Sequence, residues 1–134
     1  TSKVRNEMIV SDVKKSIAQK KTPVILTRFK EHAELLYDML KREADYVFLL
    51  YGGNSDKENA NIRVKLKQIP REESLILIAT GQKIGEGFDF PRLDVLMLAA
   101  PVSFEGRLEQ YVGRLIVTMK GKRRFMYMIT LTYI

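Results

Sequence analysis

The segment from Ala79 to Pro91, ATGQKIGEGFDFP, has the composition of a ligand-binding loop. Its glycines would let backbone N–H groups approach a phosphate closely, and Thr80 adds a hydroxyl donor. Asp89, when ionised, can only accept hydrogen bonds, so it suits ribose hydroxyls, a basic side chain or backbone N–H groups. The glycine spacing matches neither the dinucleotide-binding fingerprint nor the Walker A loop, and a structural turn therefore stands as the alternative to a phosphate site.

A second candidate site lies around Thr27, which ends an apolar stretch and is followed by Arg28. A helix is predicted to begin near Lys30, and a hydroxyl, a guanidinium and a helix N-terminus together suit an anion. His32 is predicted to be a surface or capping residue in the first turn, because no serine, cysteine or second histidine accompanies it.

A third candidate is the segment Gln110–Arg114, QYVGR, within a helix predicted over residues 104–115. Arg107 and Arg114 lie seven residues apart and therefore share one helical face. Gly113 inside a helix costs roughly 1 kcal/mol relative to alanine, which is tolerated where another backbone or a ligand must approach. Two solvated arginines near a helix end are the alternative.

The composition restricts the chemistry that these segments can do. The chain has 134 residues, 46% hydrophobic and 29% charged, which is typical of one globular domain. It has no cysteine and one histidine, which exclude a disulfide framework, a thiolate zinc site and a multi-histidine metal centre. The net charge of +7 favours a polyanionic partner such as nucleic acid. The sequence contains neither a run of 18 apolar residues nor an N-terminal signal core, so we expect a cytoplasmic protein without a membrane span.

Short apolar stretches alternate with segments of helical spacing, which predicts parallel strands covered on both faces by helices. The predicted strands are 24–27, 46–51, 75–79, 95–100 and 125–134. Residues 61–67 alternate as a strand would, but Ser55 and Glu58 form a capping-box pattern and Pro70 supplies a stop, so we predict a helix there. In open α/β sheets ligands bind outside the carboxyl ends of strands, where the Gly52-Gly53 turn and the 79–91 loop both fall.

These segments, in this order, resemble the second RecA-like lobe of a superfamily 2 helicase. Residues 24–28 resemble motif IV, 80–91 resemble motif V, and 110–114 resemble motif VI with its Q-x-x-G-R-x-x-R pattern. Residues 51–53 resemble the glycine turn between motifs IV and V. The sequences of these motifs are similar to those of DEAD/DEAH-type helicases of restriction and phage-conflict systems. The resemblance, which covers about residues 20–117, implies one RecA-like three-layer α/β/α domain over 1–134, expected to be a piece of a longer protein.

The resemblance also implies a role for individual residues. The nucleic-acid backbone would be contacted by Thr27, Arg28, Gly52, Gly53, Thr80 and Gly81. The ATP side of the cleft would be lined by Gly87, Asp89, Gln110 and Arg114. Gln110 and Arg114 would be the catalytic pair, with Arg114 as an arginine finger that stabilises charge during phosphoryl transfer. The implied partners are nucleic acid, DNA rather than RNA, and an N-terminal lobe, with ATP and Mg²⁺ bound only in the two-lobed parent.

Two departures from the family pattern keep other functions open. The phosphate-cradling loop and the Mg²⁺-binding D-E-x-[DH] motif are absent, so this chain by itself is not expected to hydrolyse ATP. The last arginine of motif VI is replaced by Val117, although Arg107, Arg123 or Arg124 could substitute for it. A non-catalytic nucleic-acid-binding or protein-interaction module is therefore the first alternative. An unrelated doubly wound domain that binds nucleotides or sugar phosphates is the second.

Overall fold

The structure, a computed structural model, describes residues 2–80, 90 and 92–99 of the chain. These residues form helices and strands that alternate as predicted, beginning with a helix. The elements are α1 (Ser2–Ala18), β1 (Pro23–Thr27), α2 (Lys30–Leu40), β2 (Tyr46–Leu50), α3 (Asp56–Gln68), β3 (Leu75–Thr80) and β4 (Val95–Ala99). The helix predicted over 104–115 and the strand predicted over 125–134 lie outside the described residues.

The strands form a four-stranded sheet in the order β2-β3-β1-β4, and every neighbouring pair is parallel. β1 and β3 occupy the centre and are buried along their whole length. Such strands are apolar at consecutive positions, because helices cover both faces of the sheet. The predicted α/β fold with a parallel central sheet is therefore confirmed.

The two faces of the sheet carry separate apolar cores, because successive strand side chains point to opposite sides. On one face Val24 and Leu26 pack with Leu66 of α3. On the other face Ile25 packs with residues of α1 and α2, which are Ile9, Val13, Ala33, Leu36 and Leu40. Complete burial of one large aliphatic side chain contributes about 1.5–3 kcal/mol, so the two cores hold the sheet between its helices.

Helix α3 begins with the capping box that the sequence predicts. The Ser55 hydroxyl accepts a hydrogen bond from the Glu58 backbone N–H at 3.1 Å, and Glu58 Oε1 accepts one from the Ser55 N–H at 2.9 Å. The bond from the Ser55 backbone holds the pKa of Glu58 below its usual range. Leu66 is buried and Val64 is 56% exposed, as expected when residues two apart point to different sides of a helix.

Charged residues join the strands at the opposite, amino edge of the sheet. Buried Asp94 accepts a hydrogen bond from the Thr22 N–H at 2.9 Å and pairs with Arg71 at 2.8 Å. Arg92 donates to the Thr22 hydroxyl at 2.9 Å and to the Pro70 carbonyl at 3.0 Å, and burial lowers the pKa of Arg92. These bonds fix the chain before β1 and β4 against the segment that follows α3.

Candidate nucleic-acid interface

The loops that follow β1, β2 and β3 all begin at the carboxyl edge of the sheet. Thr27, the last residue of β1, pairs in register with Thr80, the last residue of β3. Leu50 at the end of β2 pairs with Ala79. The candidate motif V segment therefore starts beside the end of β1, and the glycine turn starts one strand further along the same edge.

The predicted site residues divide into a described and an undescribed group. The structure brings a first group to the carboxyl edge, namely Thr27, Arg28, Gly52, Gly53 and Thr80. A second group lies outside the described residues, namely Gly81, Gly87, Asp89, Gln110 and Arg114. The described group thus contains the residues of motif IV and of the glycine turn that are expected to contact nucleic acid.

The Thr27 side chain is buried and belongs to a chain of polar contacts. Its hydroxyl oxygen lies 2.8 Å from Nδ1 of His32, and Nε2 of His32 lies 2.8 Å from Oδ1 of Asn6. His32 is half-buried and links β1 through α2 to α1, so it is neither the surface residue nor the cap that the sequence suggested. The N-cap of α2 is Phe29, which makes no side-chain capping bond. Asn6 lies 26 positions earlier, so no local pattern revealed this contact.

The residues between β1 and α2 form an exposed cationic surface. Arg28, Phe29 and Lys30 are all exposed, and the Arg28 guanidinium carbon lies 5.4 Å from the centroid of the Phe29 ring. Because no side chain caps α2, its first N–H groups add a partial positive charge at the same place. The surface combines side-chain and backbone donors of the kind that bind phosphate oxygens.

The loop after β2 is held by two asparagine side chains. Nδ2 of Asn59, a buried residue of α3, donates to the Tyr51 carbonyl at 3.0 Å. Nδ2 of Asn54 donates to the Leu49 carbonyl at 2.6 Å and to Oδ1 of Asn59 at 3.0 Å. The Tyr51 carbonyl bonds to a side chain at this point, and β2 ends at Leu50, one residue earlier than predicted. The loop that carries Gly52 and Gly53 thus has a defined conformation.

The two glycines of this loop differ in their surroundings. A Cβ on Gly53 would lie 2.4 Å from the Tyr51 ring, so this position has a packing reason to be glycine. A Cβ on Gly52 would lie 3.2 Å from Cε of Lys30 and 3.8 Å from its Nζ. Lys30 therefore brings an ammonium group beside the glycine turn. No local sequence pattern indicates this contact, because β3 lies between the strands that precede the two residues and α2 must pack across it.

The Tyr51 ring is itself fixed by a hydrogen bond. Its hydroxyl donates to Oε2 of Glu34 at 2.8 Å, and this bond raises the pKa of Tyr51. The ring is 8% exposed and packs in the core shared with α2. The glycine turn is thus anchored to α2 through Tyr51 as well as to α3 through Asn59.

Neither a cluster of metal ligands nor a membrane-spanning helix occurs in the described part of the chain. In residues 2–80, 90 and 92–99, no three histidine, aspartate or glutamate side chains come close enough to hold a metal ion. In the same ranges, no helix has the length and hydrophobicity that crossing a membrane requires.

The fold occurs in known helicase and ATPase structures. The chain superimposes with a TM-score of 0.77 on Mss116p DEAD-box helicase domain 2 bound to an RNA duplex, at 16% identity, covering 98% of this chain and 51% of that one. For T4 UvsW the TM-score is 0.76 at 22% identity, with 98% and 26% covered. For the Sulfolobus solfataricus SWI2/SNF2 ATPase core in complex with dsDNA it is 0.60 at 18%, with 97% and 26% covered. At these identities the likeness establishes a RecA-like helicase-domain fold.

Curated viral proteins are similar to the chain in sequence. Transcript termination protein A18 of Yaba-like disease virus is 30% identical over 126 residues, covering 90% of this chain and 25% of that protein. The protein of the same name from rabbit fibroma virus (strain Kasza) is 24% identical over 134 residues, covering 97% and 27%. The chain spans about a quarter of the length of these relatives. No protein-family model matches it.

Proposed function

We propose that the chain is the second RecA-like lobe of an ATP-dependent nucleic-acid helicase or translocase. In this role it binds the sugar-phosphate backbone along the carboxyl edge of the sheet. The observation that supports the proposal most strongly is the register of Thr27 with Thr80, which puts the first residue of the motif V segment beside the end of β1. A strand laid across this edge would meet the end of β1, the motif V segment and then the glycine turn.

The chemistry of the edge suits phosphates rather than particular bases. Arg28 and Lys30 are exposed cations, and the uncapped start of α2 and the glycine turn offer backbone N–H groups. Contacts of this kind position a nucleic acid without reading its sequence. Binding should therefore be largely independent of sequence and should weaken steeply as salt is raised.

The ATP side of the proposed function rests on residues outside the described part of the chain. Arg114 would stabilise charge that develops during phosphoryl transfer, and Gln110, Gly87 and Asp89 would line the cleft between two lobes. As the family resemblance implies, ATP and Mg²⁺ would be bound only in the two-lobed parent.

Two biological settings are compatible with a nucleic-acid motor of this kind. The motif sequences resemble those of helicases of restriction systems, whereas the viral relatives carry the name transcript termination protein A18. The sequence similarity to these relatives favours the second setting. DNA remains our proposed substrate and the cytoplasm our proposed compartment. One solved neighbour is described as bound to an RNA duplex and another to dsDNA.

The test uses single substitutions in the two-lobed parent. Arg114→Ala should reduce ATP turnover more than nucleic-acid binding, whereas Arg28→Ala should weaken binding to single-stranded DNA at low salt. Arg42→Ala is the matched control, because Arg42 is exposed and follows α2 at the opposite edge of the sheet. Equal losses for Arg114→Ala in both assays, or none, would refute the finger role. They would favour the non-catalytic module that Val117 in motif VI suggests.

A further inference from the structure

Phe29 is an exposed aromatic residue at the carboxyl edge of the sheet. Its side chain follows the last residue of β1 and is 53% exposed. Isolated exposed apolar residues are common on protein surfaces, so exposure alone carries no conclusion. Phe29, however, is flanked in the chain by two exposed cations, Arg28 and Lys30, at the edge where the nucleic-acid backbone is proposed to run.

The contact between Arg28 and Phe29 gives the ring a defined partner. The guanidinium carbon lies 5.4 Å from the ring centroid, within the range of a cation–π interaction. Arg28 thus puts a positive charge beside the aromatic ring. The pair combines an apolar ring surface with a charge that attracts phosphate.

Proteins bind single-stranded nucleic acids through aromatic rings placed beside cations. Every base has a π-face, so stacking on a ring tolerates any sequence while cations hold the backbone. Bases in a duplex are already stacked on their neighbours, so the ring suits an unpaired base. We propose that Phe29 is a stacking platform for one unpaired base of the strand bound at this edge. The proposal rests on the proposed function of the edge and adds that the protein contacts a base there.

The experiment compares two single-stranded probes of equal length and charge in the full-length protein that contains this chain. One probe is oligothymidine and the other is an abasic sugar-phosphate strand, both labelled for fluorescence anisotropy at low salt. Stacking of one base predicts that Phe29→Ala lowers the preference for oligothymidine over the abasic strand by about 5- to 150-fold. Phe29→Trp should retain the preference, because its ring can also stack.

Two further variants separate stacking from backbone binding. Lys30→Ala should weaken binding of both probes by the same factor, because its charge acts on the backbone that the probes share. Leu35→Ala should change neither affinity, since Leu35 is a comparably exposed apolar residue of α2, 47% exposed.

The outcomes distinguish this inference from the proposed function. An unchanged preference in Phe29→Ala, or equal weakening of both probes, would overturn the stacking role. The proposed function would survive that result if Lys30→Ala still weakened binding of both probes. If the unmodified protein bound neither probe at low salt, the proposed function and the stacking role would fail together.

Discussion

Replacing Asn59 with alanine should destabilise the protein by loosening the loop that carries Gly52 and Gly53. The buried Asn59 amide donates to the Tyr51 carbonyl and accepts from Asn54, so alanine removes two hydrogen bonds. The Tyr51 carbonyl keeps a hydrogen bond from the Asn54 backbone N–H, and the Asn54 side chain keeps its bond to Leu49, so the cost is that of two lost hydrogen bonds. At about 0.5–1.5 kcal/mol each they contribute about 1–3 kcal/mol, of which the better helix propensity of alanine returns about 0.5. The net loss is roughly 1.5 kcal/mol, or about 6 °C in melting temperature for a domain of this size.

The assay is thermal unfolding followed by circular dichroism, with Asn61→Ala as the matched control. Asn61 lies on the same helix but is exposed, so its replacement should change stability by no more than about 0.5 kcal/mol. Hydrogen exchange should also accelerate at the amides of residues 52–55 in Asn59→Ala alone. Equal melting temperatures for the two variants would show that the buried amide adds no net stability, and the reasoning would be refuted.

Two shorter predictions concern the same loop and the helix after it. Gly53→Ala should lower the urea midpoint by the equivalent of about 1–3 kcal/mol because its Cβ would meet the Tyr51 ring, whereas Gly52→Ala should cost less. Equal costs would contradict this account. The lowered pKa of Glu58 implies stability that is complete above its unfolded-state pKa and is lost as pH falls through the folded-state value. Glu58→Gln should therefore reduce the slope of the unfolding free energy against pH in the acidic range. An unchanged slope would exclude this linkage.

Helix α3 illustrates what local sequence patterns predict well. The alternation of residues 61–67 suggested a strand, but the capping box formed by Ser55 and Glu58 and the stop at Pro70 predicted the helix that is observed. The deciding interactions lie within three residues of one another, so the order of residues is sufficient to reveal them. The buried strands β1 and β3 were predictable for a similar reason, since consecutive apolar residues indicate burial on both faces.

The candidate site was predictable only in part. The sequence indicated which loops follow strands, and the structure places the described ones at one edge of the sheet as expected. The sequence could not indicate that Lys30 lies beside Gly52, or that His32 links Thr27 to Asn6. Lys30 and Gly52, like His32 and Asn6, are separated along the chain and meet only when the helices pack on the sheet and on one another.

By itself the sequence determined the described strands, helices α2 and α3 and the parallel α/β class, and it predicts that a ligand binds at the loops after the strands. These follow from hydrophobic spacing and from capping, which act over a few neighbouring residues. The tertiary structure alone decided the order β2-β3-β1-β4 and the register of Thr27 with Thr80. It also decided the exposure of Phe29 beside Arg28, because packing of distant segments determines which side chains reach the surface.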